Sequence, residues 1–145
     1  MTDDIDFILD VLDPYFKKFF AIGKSGLEKE VQELIAVWFL DSEVNNGGFN
    51  QFYWNSAGEF ALEALEGLET IGADKRASIL EAANSEFPNG KPSENREKRQ
   101  QELEVIEQAF ASKLDGLDSE YYACKEDVVD LLAQYLKNQK CITRG

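Results

Sequence analysis

The sequence predicts an all-α fold, a single compact domain of about six or seven helices over residues 1–145. Three observations carry this. Apolar residues recur at three- and four-residue spacing along nearly the whole chain, no stretch alternates persistently with period two, and no Gly-rich strand-to-helix junction occurs. With 145 residues, 43% of them hydrophobic and 12% aromatic, the chain can bury one core and has the length of one domain.

The elements follow in order. Ile5, Ile8, Leu9 and Leu12 fall on one face of a first helix, opposite Asp3, Asp6, Asp10 and Asp13. Pro14 is expected to interrupt it, with Tyr15, Phe16, Phe19, Phe20 and Ile22 forming a second, aromatic turn-and-helix that ends at Gly23. Ser25-Gly26-Leu27-Glu28 has the spacing of a capping box and should start a helix carrying Leu27, Val31, Leu34, Ile35 and Trp38, apolar on nearly every side from Ala36 to Leu40. Asn45-Asn46-Gly47-Gly48 should end that helix. A second capping box at Ser56-Ala57-Gly58-Glu59 opens a helix to Ile71, stopped by Gly72, and Asp74 opens the next. After the Pro/Gly loop at residues 87–92, Ser93 should cap a long charged helix with Leu103, Ile106, Phe110 and Leu114 on its apolar face. A last helix, from about Tyr121 to Lys140, would carry Val128, Leu131, Leu132 and Tyr135.

Charge narrows the function. Asp and Glu number 28 against 15 Lys and Arg, for a net −13. That balance excludes unaided binding to nucleic acid or an anionic membrane surface, both of which need clustered positive charge, and it favours basic partners. The excess is polarised: residues 1–72 carry a net −10, residues 73–145 a net −3. Within the first half, Glu59, Glu63, Glu66 and Glu69 form one stripe if the segment is helical, and no Lys or Arg lies between Glu30 and Asp74 to neutralise it within the helix. Four carboxylates along about 15 Å approach the line density of one DNA strand, a phosphate per roughly 3.4 Å. A solvated face that keeps the protein soluble has the same pattern.

The absence of His removes the commonest general base, metal ligand and partner of a nucleophilic Ser or Cys. Glu63-x-x-Glu66 resembles half of a helical di-metal site, which would need His on facing helices. Ser56 has no activating base nearby and reads as a helix cap. Asn45, Asn46, Asn50, Asn55 and Gln51 either read a partner's backbone or satisfy loop and cap groups, the latter reading being favoured. Phe49, Phe52, Tyr53 and Trp54 fit a core or a dimer interface better than a base-stacking platform, which comes with positive charge. Two cysteines, Cys124 and Cys141, are expected as free thiols in a reducing compartment. The acidic start and the lack of a long apolar run lead to the expectation of a cytoplasmic location with no membrane contact.

The stretch Glu43-Val44-Asn45-Asn46-Gly47-Gly48-Phe49-Asn50-Gln51-Phe52-Tyr53-Trp54-Asn55-Ser56-Ala57-Gly58-Glu59 resembles the signature of the DMP-nineteen-like DNA-mimic family, with its N-G-G-F-x-Q-F-x-x-N-S-x-G core. Ala64-Leu65-Glu66 through Ile71-Gly72-Ala73 is similar to the family's continuation, and residues 126–132 carry a weaker echo. The resemblance implies a single DNA-mimic-like helical domain that forms a homodimer. Its carboxylates would stand where a basic DNA-binding partner, such as a helix-turn-helix transcription factor, expects phosphates, so that the partner is kept off DNA.

On this reading the chain is no enzyme and needs no catalytic residue, cofactor or metal. The partner-binding candidates are Glu59, Glu63, Glu66 and Glu69, followed by Asp41, Glu43, Asp3, Asp4, Asp6 and Asp10. Two rivals are an immunity or antitoxin-type inhibitor of a basic nuclease toxin, and an enzyme using paired carboxylates with Mg²⁺ or Mn²⁺.

Overall fold

The computed structural model describes residues 2–109 and 112–138, and among them it contains seven α-helices and no strand. Helix α1 spans Thr2–Ile22, α2 Lys29–Trp54, α3 Ala61–Thr70, α4 Asp74–Asn84, α5 Arg96–Gln108, α6 Leu114–Ala123 and α7 Val128–Asn138. Helix α2 is the hub, touching α1, α3, α5 and α6. Of the run Ala36–Leu40 read as apolar on nearly every side, Ala36, Val37 and Leu40 are fully buried and Trp38 and Phe39 half-buried; Leu34 and Ile35 before it are also buried. Gly67 lets α3 approach α2 closely, because a Cβ there would strike the Glu33 carbonyl. No helix among the described residues is long and apolar enough to cross a membrane.

Several boundaries differ from the sequence reading, each for a local reason. Pro14 sits inside a single helix, α1, so the proline does not break it. Burial of Ile8 and Leu12 before it and packing of Phe16 and Phe19 after it hold both halves on one axis, outweighing the backbone bond that proline cannot make. Neither capping box forms: Ser25 lies in a 3₁₀ turn at Lys24–Gly26 and α2 starts at Lys29 with no side-chain cap, while Ser56 is exposed in a 3₁₀ turn at Ser56–Phe60 ahead of α3. At the first site the Gln32 amide instead donates to the Lys24 and Leu27 carbonyls at 2.9 and 3.0 Å, tying the 3₁₀ turn to α2.

The cap of α5 is Asn95, whose side chain accepts from the Lys98 N–H at 2.9 Å; Ser93 instead accepts from the Asn95 N–H. That helix stops at Gln108, and Leu114 belongs to α6; Phe110 lies outside the described residues. The expected last helix is two helices, α6 and α7, because Asp127 caps α7 by accepting from the Asp130 N–H, and the backbone turns at residues 124–127. Lys140 and Cys141 lie outside the described residues.

Gly72 stops α3 as read, at φ 89°, with Gly72 N–H donating to the Glu69 carbonyl and Ala73 N–H to that of Leu68, a Schellman closure. The Gly47-Gly48 pair breaks α2 with Gly48 at φ 79°, but the helix resumes and runs on to Trp54. What restarts it comes from far along the chain. The Asp118 carboxylate of α6 accepts the Phe49 N–H at 2.8 Å, supplying an anion to the new helix N-terminus. At the other end Arg99, fully buried, donates to the carbonyls of Tyr53 at 2.7 Å and Asn55 at 2.8 Å, and to Ser93 at 2.9 Å. Gln100 and Arg96 both bond the Trp54 carbonyl. Gly58 is required because a Cβ there would meet the Arg99 guanidinium and the Phe52 carbonyl. A six-residue helix too short to stand alone is thus held by opposite charges at its two ends.

Two stability tests follow. Asp118→Ala should cost about 1–2 kcal/mol in urea unfolding and Asp118→Asn distinctly less, since an amide oxygen still caps. Arg99→Met should cost about 3–5 kcal/mol by stranding the carbonyls of Tyr53, Asn55 and Ser93, and Arg99→Lys should not restore it, because one ammonium cannot span the forked set of acceptors.

Candidate functional site

The carboxylates singled out from sequence fall into three groups. Asp41 and Glu43 are structural. Asp41 is largely buried and accepts from the Tyr121 hydroxyl at 2.6 Å; burial pushes its carboxyl up from the ordinary range, and that hydrogen bond and nearby Arg76 hold it down. Tyr121 in turn lies against Arg76, whose guanidinium carbon is 4.3 Å from the ring centroid and whose N–H groups bond the carbonyls of Tyr121, Cys124 and Glu126. Glu43 straddles the glycine break, accepting from Gln51 at 3.1 Å and Asn55 at 2.9 Å. Both carboxylates are engaged within the fold.

The second group is the stripe before and along α3. Glu59 lies in the 3₁₀ turn, out of register with the helix, and half-buried. Burial pushes its carboxyl up, against the pull of Lys24 and Arg99. The stripe has no base within its own helix, but two lysines reach it from elsewhere. Lys24, its side chain only 10% exposed, pairs with Glu63 at 3.1 Å and Glu94 at 3.2 Å and also donates to the Glu59 carbonyl. Lys29 pairs with Glu66 at 3.2 Å and Glu33 at 3.6 Å. Two ammonium groups therefore face four carboxylates, and the patch stays anionic but is no longer an uncompensated row. Glu63 Oε1 is buried without a hydrogen-bond partner. Glu69 remains exposed.

The third group is on α1. Asp4 pairs with Lys137 of α7 at 3.2 Å and Asp13 with Lys17 at 3.0 Å. Asp3, Asp6 and Asp10 are exposed, and no basic side chain lies within ion-pairing distance of them among the described residues. Asp3, Asp6, Asp10 and Asp13 repeat the three- and four-residue spacing of the α3 glutamates, again about one carboxylate per 5 Å of helix. Among the candidates read from sequence, Asp3, Asp6, Asp10 and Glu69 are the exposed acids with no ion pair among the described residues.

Of the aromatic signature residues, Phe49, Phe52 and Tyr53 are buried in the core and Trp54 is exposed. Asn55 is tied to Glu43 and Arg96, whereas Asn45, Asn46 and Asn50 face solvent. Among the described residues no group of three or more Cys, Asp or Glu is placed to hold a metal ion. Cys124 is a free, half-buried thiol.

Fold and surface together define a helical, strongly acidic protein whose motif residues build the scaffold and whose exposed carboxylates include those of Asp3, Asp6 and Asp10 on α1. The chain belongs to the DMP19-like protein family, whose model matches residues 25–139. No curated protein and no solved structure matches the chain. Helix α1 lies outside the matched residues.

The charge distribution sets the pH response. Burial raises the carboxyls of Glu33, Asp41, Glu59, Glu107 and Asp118, with neighbouring carboxylates adding to the push on most of them. A raised folded-state pKa means that the folded protein binds more protons than the unfolded chain, so stability falls as pH rises through that range. Lowering the pH from neutral into the mildly acidic range, while staying above the isoelectric point near 4.4, should therefore raise the thermal midpoint. A midpoint that falls steadily over that interval would contradict the assignment.

Proposed function

We propose that the protein is a non-enzymatic inhibitor that mimics DNA: its exposed carboxylates occupy the phosphate-reading surface of a basic DNA-binding protein, such as a helix-turn-helix transcription factor, and keep it from DNA. The observation that carries the reading is the ridge Asp3, Asp6 and Asp10 on α1, exposed and unpaired among the described residues, in a chain of net charge −13. Glu66 and Glu69 add exposed carboxylates on α3, Glu66 tempered by Lys29. Membership of the DMP19-like family supports the scaffold, and the resemblance described above supports the mode of action. A homodimer in the cytoplasm is part of the same proposal.

Exposed carboxylates attract a basic surface over a range set by screening, about 8–10 Å at physiological ionic strength. Association is therefore fast at low salt and weakens as salt rises. Basic DNA-binding proteins captured from native extract at low salt should be released by added salt and by competing duplex DNA. The double reversal Asp6→Lys/Asp10→Lys should abolish that capture, with the helical circular-dichroism signal unchanged. Capture that survives both the reversal and DNA competition would rule the reading out, and capture of a basic nuclease in place of a regulator would move it to the immunity class.

A further inference from the structure

Two stripes run side by side along α1. At about 100° per residue, Ile5, Leu9, Phe16 and Phe20 fall within about 60° of arc, and Asp13, Asp6, Asp10 and Asp3 occupy the adjoining ~80°. Among the described residues the apolar stripe is not closed over: Ile5 is 38% exposed, Leu9 37% and Phe20 74%. Phe16 is half-buried, stacked on Phe39 with centroids 5.4 Å apart. From Ile5 to Phe20 the seam is about 22 Å long, four helical turns. At its Phe20 end opens a cavity of about 430 Å³ whose apolar wall is Phe19, Phe20, Trp38 and Phe39, and whose polar rim includes Ser42 and Arg96.

Phosphate imitation alone needs no such seam. A surface that only copied a nucleic-acid backbone would be polar throughout, whereas here the carboxylates flank exposed aliphatic and aromatic groups at helical spacing. Nucleic acid and anionic lipid are repelled by the aspartates. A second copy is disfavoured on the same ground, because two α1 helices packed antiparallel about a two-fold axis set like flank against like flank, aspartate against aspartate. A helix whose own apolar stripe is bordered by Lys and Arg meets both stripes at once.

We propose that this seam and its cavity dock a basic amphipathic helix of a protein partner, with apolar side chains on Ile5, Leu9 and Phe20 and cationic ones on Asp6, Asp10 and Asp13. The proposal rests on the reading of α1 as the acidic surface and adds to it the form of the partner's binding element. The partner helix lies along α1, and a bulky apolar side chain enters the cavity. Helix α1 lies outside the residues that the family model matches.

The test uses the full chain and two fluorescent peptides of identical Leu/Lys composition, about 18 residues each, one patterned as an amphipathic helix and the other scrambled so that no apolar stripe forms. Fluorescence anisotropy should show the patterned peptide binding at least tenfold more tightly. Ile5→Ser/Leu9→Ser/Phe20→Ser should remove that preference and leave the scrambled peptide's affinity unchanged. Asp6→Asn/Asp10→Asn should weaken both peptides and flatten the salt dependence of each.

Equal affinity for the two peptides, with the aspartate variant still weakening both, would overturn the docking seam and leave the acidic surface standing. An aspartate variant without effect on either peptide would overturn both. If sedimentation shows a dimer that the serine variant dissociates, the seam is a contact between copies and the proposal fails. Phe20 is largely exposed, whereas Ile5 and Leu9 are little more than one-third exposed; circular dichroism checks that the serine variant folds, and Phe20→Ser alone, which should weaken the patterned peptide only, repeats the test if it does not.

Discussion

The architecture depends on the neutralisation of one short helix at both ends. The double glycine at 47–48 frees the backbone to turn, but a turn alone leaves Phe49–Trp54 as an isolated fragment with orphan N–H groups at one end and orphan carbonyls at the other. Asp118 supplies the anion and Arg99 the cation, and each comes from a different later helix, α6 and α5. Closing that helix therefore also fixes where α5 and α6 sit against α2. The aromatic residues it carries then pack into place, Phe49 edge-on to Tyr121 at 5.7 Å and Tyr53 against Phe87 at 4.5 Å. Tyr53 adds a hydroxyl donated to Asn84 at 2.6 Å, which ties α4 to the same point.

This explains why a strongly acidic chain spends several of its carboxylates inside. Asp118 caps Phe49, Glu126 caps α4 through the N–H groups of Lys75 and Arg76, Glu43 bridges the break, and Asp41 holds Tyr121. The buried arginines answer them, Arg76 collecting the last carbonyls of α6 and Arg99 those of the short helix. Neither arginine depends on a carboxylate contact to satisfy its N–H groups; both are held chiefly by backbone oxygens. The internal electrostatics are thus close to self-contained, and the excess negative charge is left to the surface.

The sequence made the fold class, the buried face of α2 and the Gly72 stop legible, because each is a local pattern of spacing or of a residue with special backbone freedom. What it hid was non-local. Ser25 and Ser56 have the spacing of capping boxes, yet the chain entering each helix is already bonded as a 3₁₀ turn, a competition that no four-residue window shows. Pro14 reads as a break until the aromatic packing beyond it is known. The glutamate stripe was read as uncompensated because bases were counted within its helix, whereas Lys24 and Lys29 arrive from 34 or more residues away. Candidate residues on α1 were visible, but their rank was not, since it depends on which acids have no base within reach in three dimensions.

Scaffold and surface are separable on physical grounds. The signature positions act inside the scaffold: Gly48 adopts φ 79°, Gly58 clears a guanidinium, and the Asn55 and Gln51 side chains hold Glu43. Changing any of them disturbs packing without altering what a partner meets. Asp3, Asp6 and Asp10 have the opposite character: they are exposed and pair with no base among the described residues, while Asp4 ties α1 to Lys137 of α7 and Asp13 pairs with Lys17. The solvent face of α1 sets Asp3, Asp6, Asp10 and Asp13 at helical spacing beside an exposed apolar stripe. Repulsion between like charges one turn apart costs a few tenths of a kcal/mol per pair. Solubility would be served as well by mixed charges, so the arrangement fits an external cationic partner better than it fits the needs of the isolated fold.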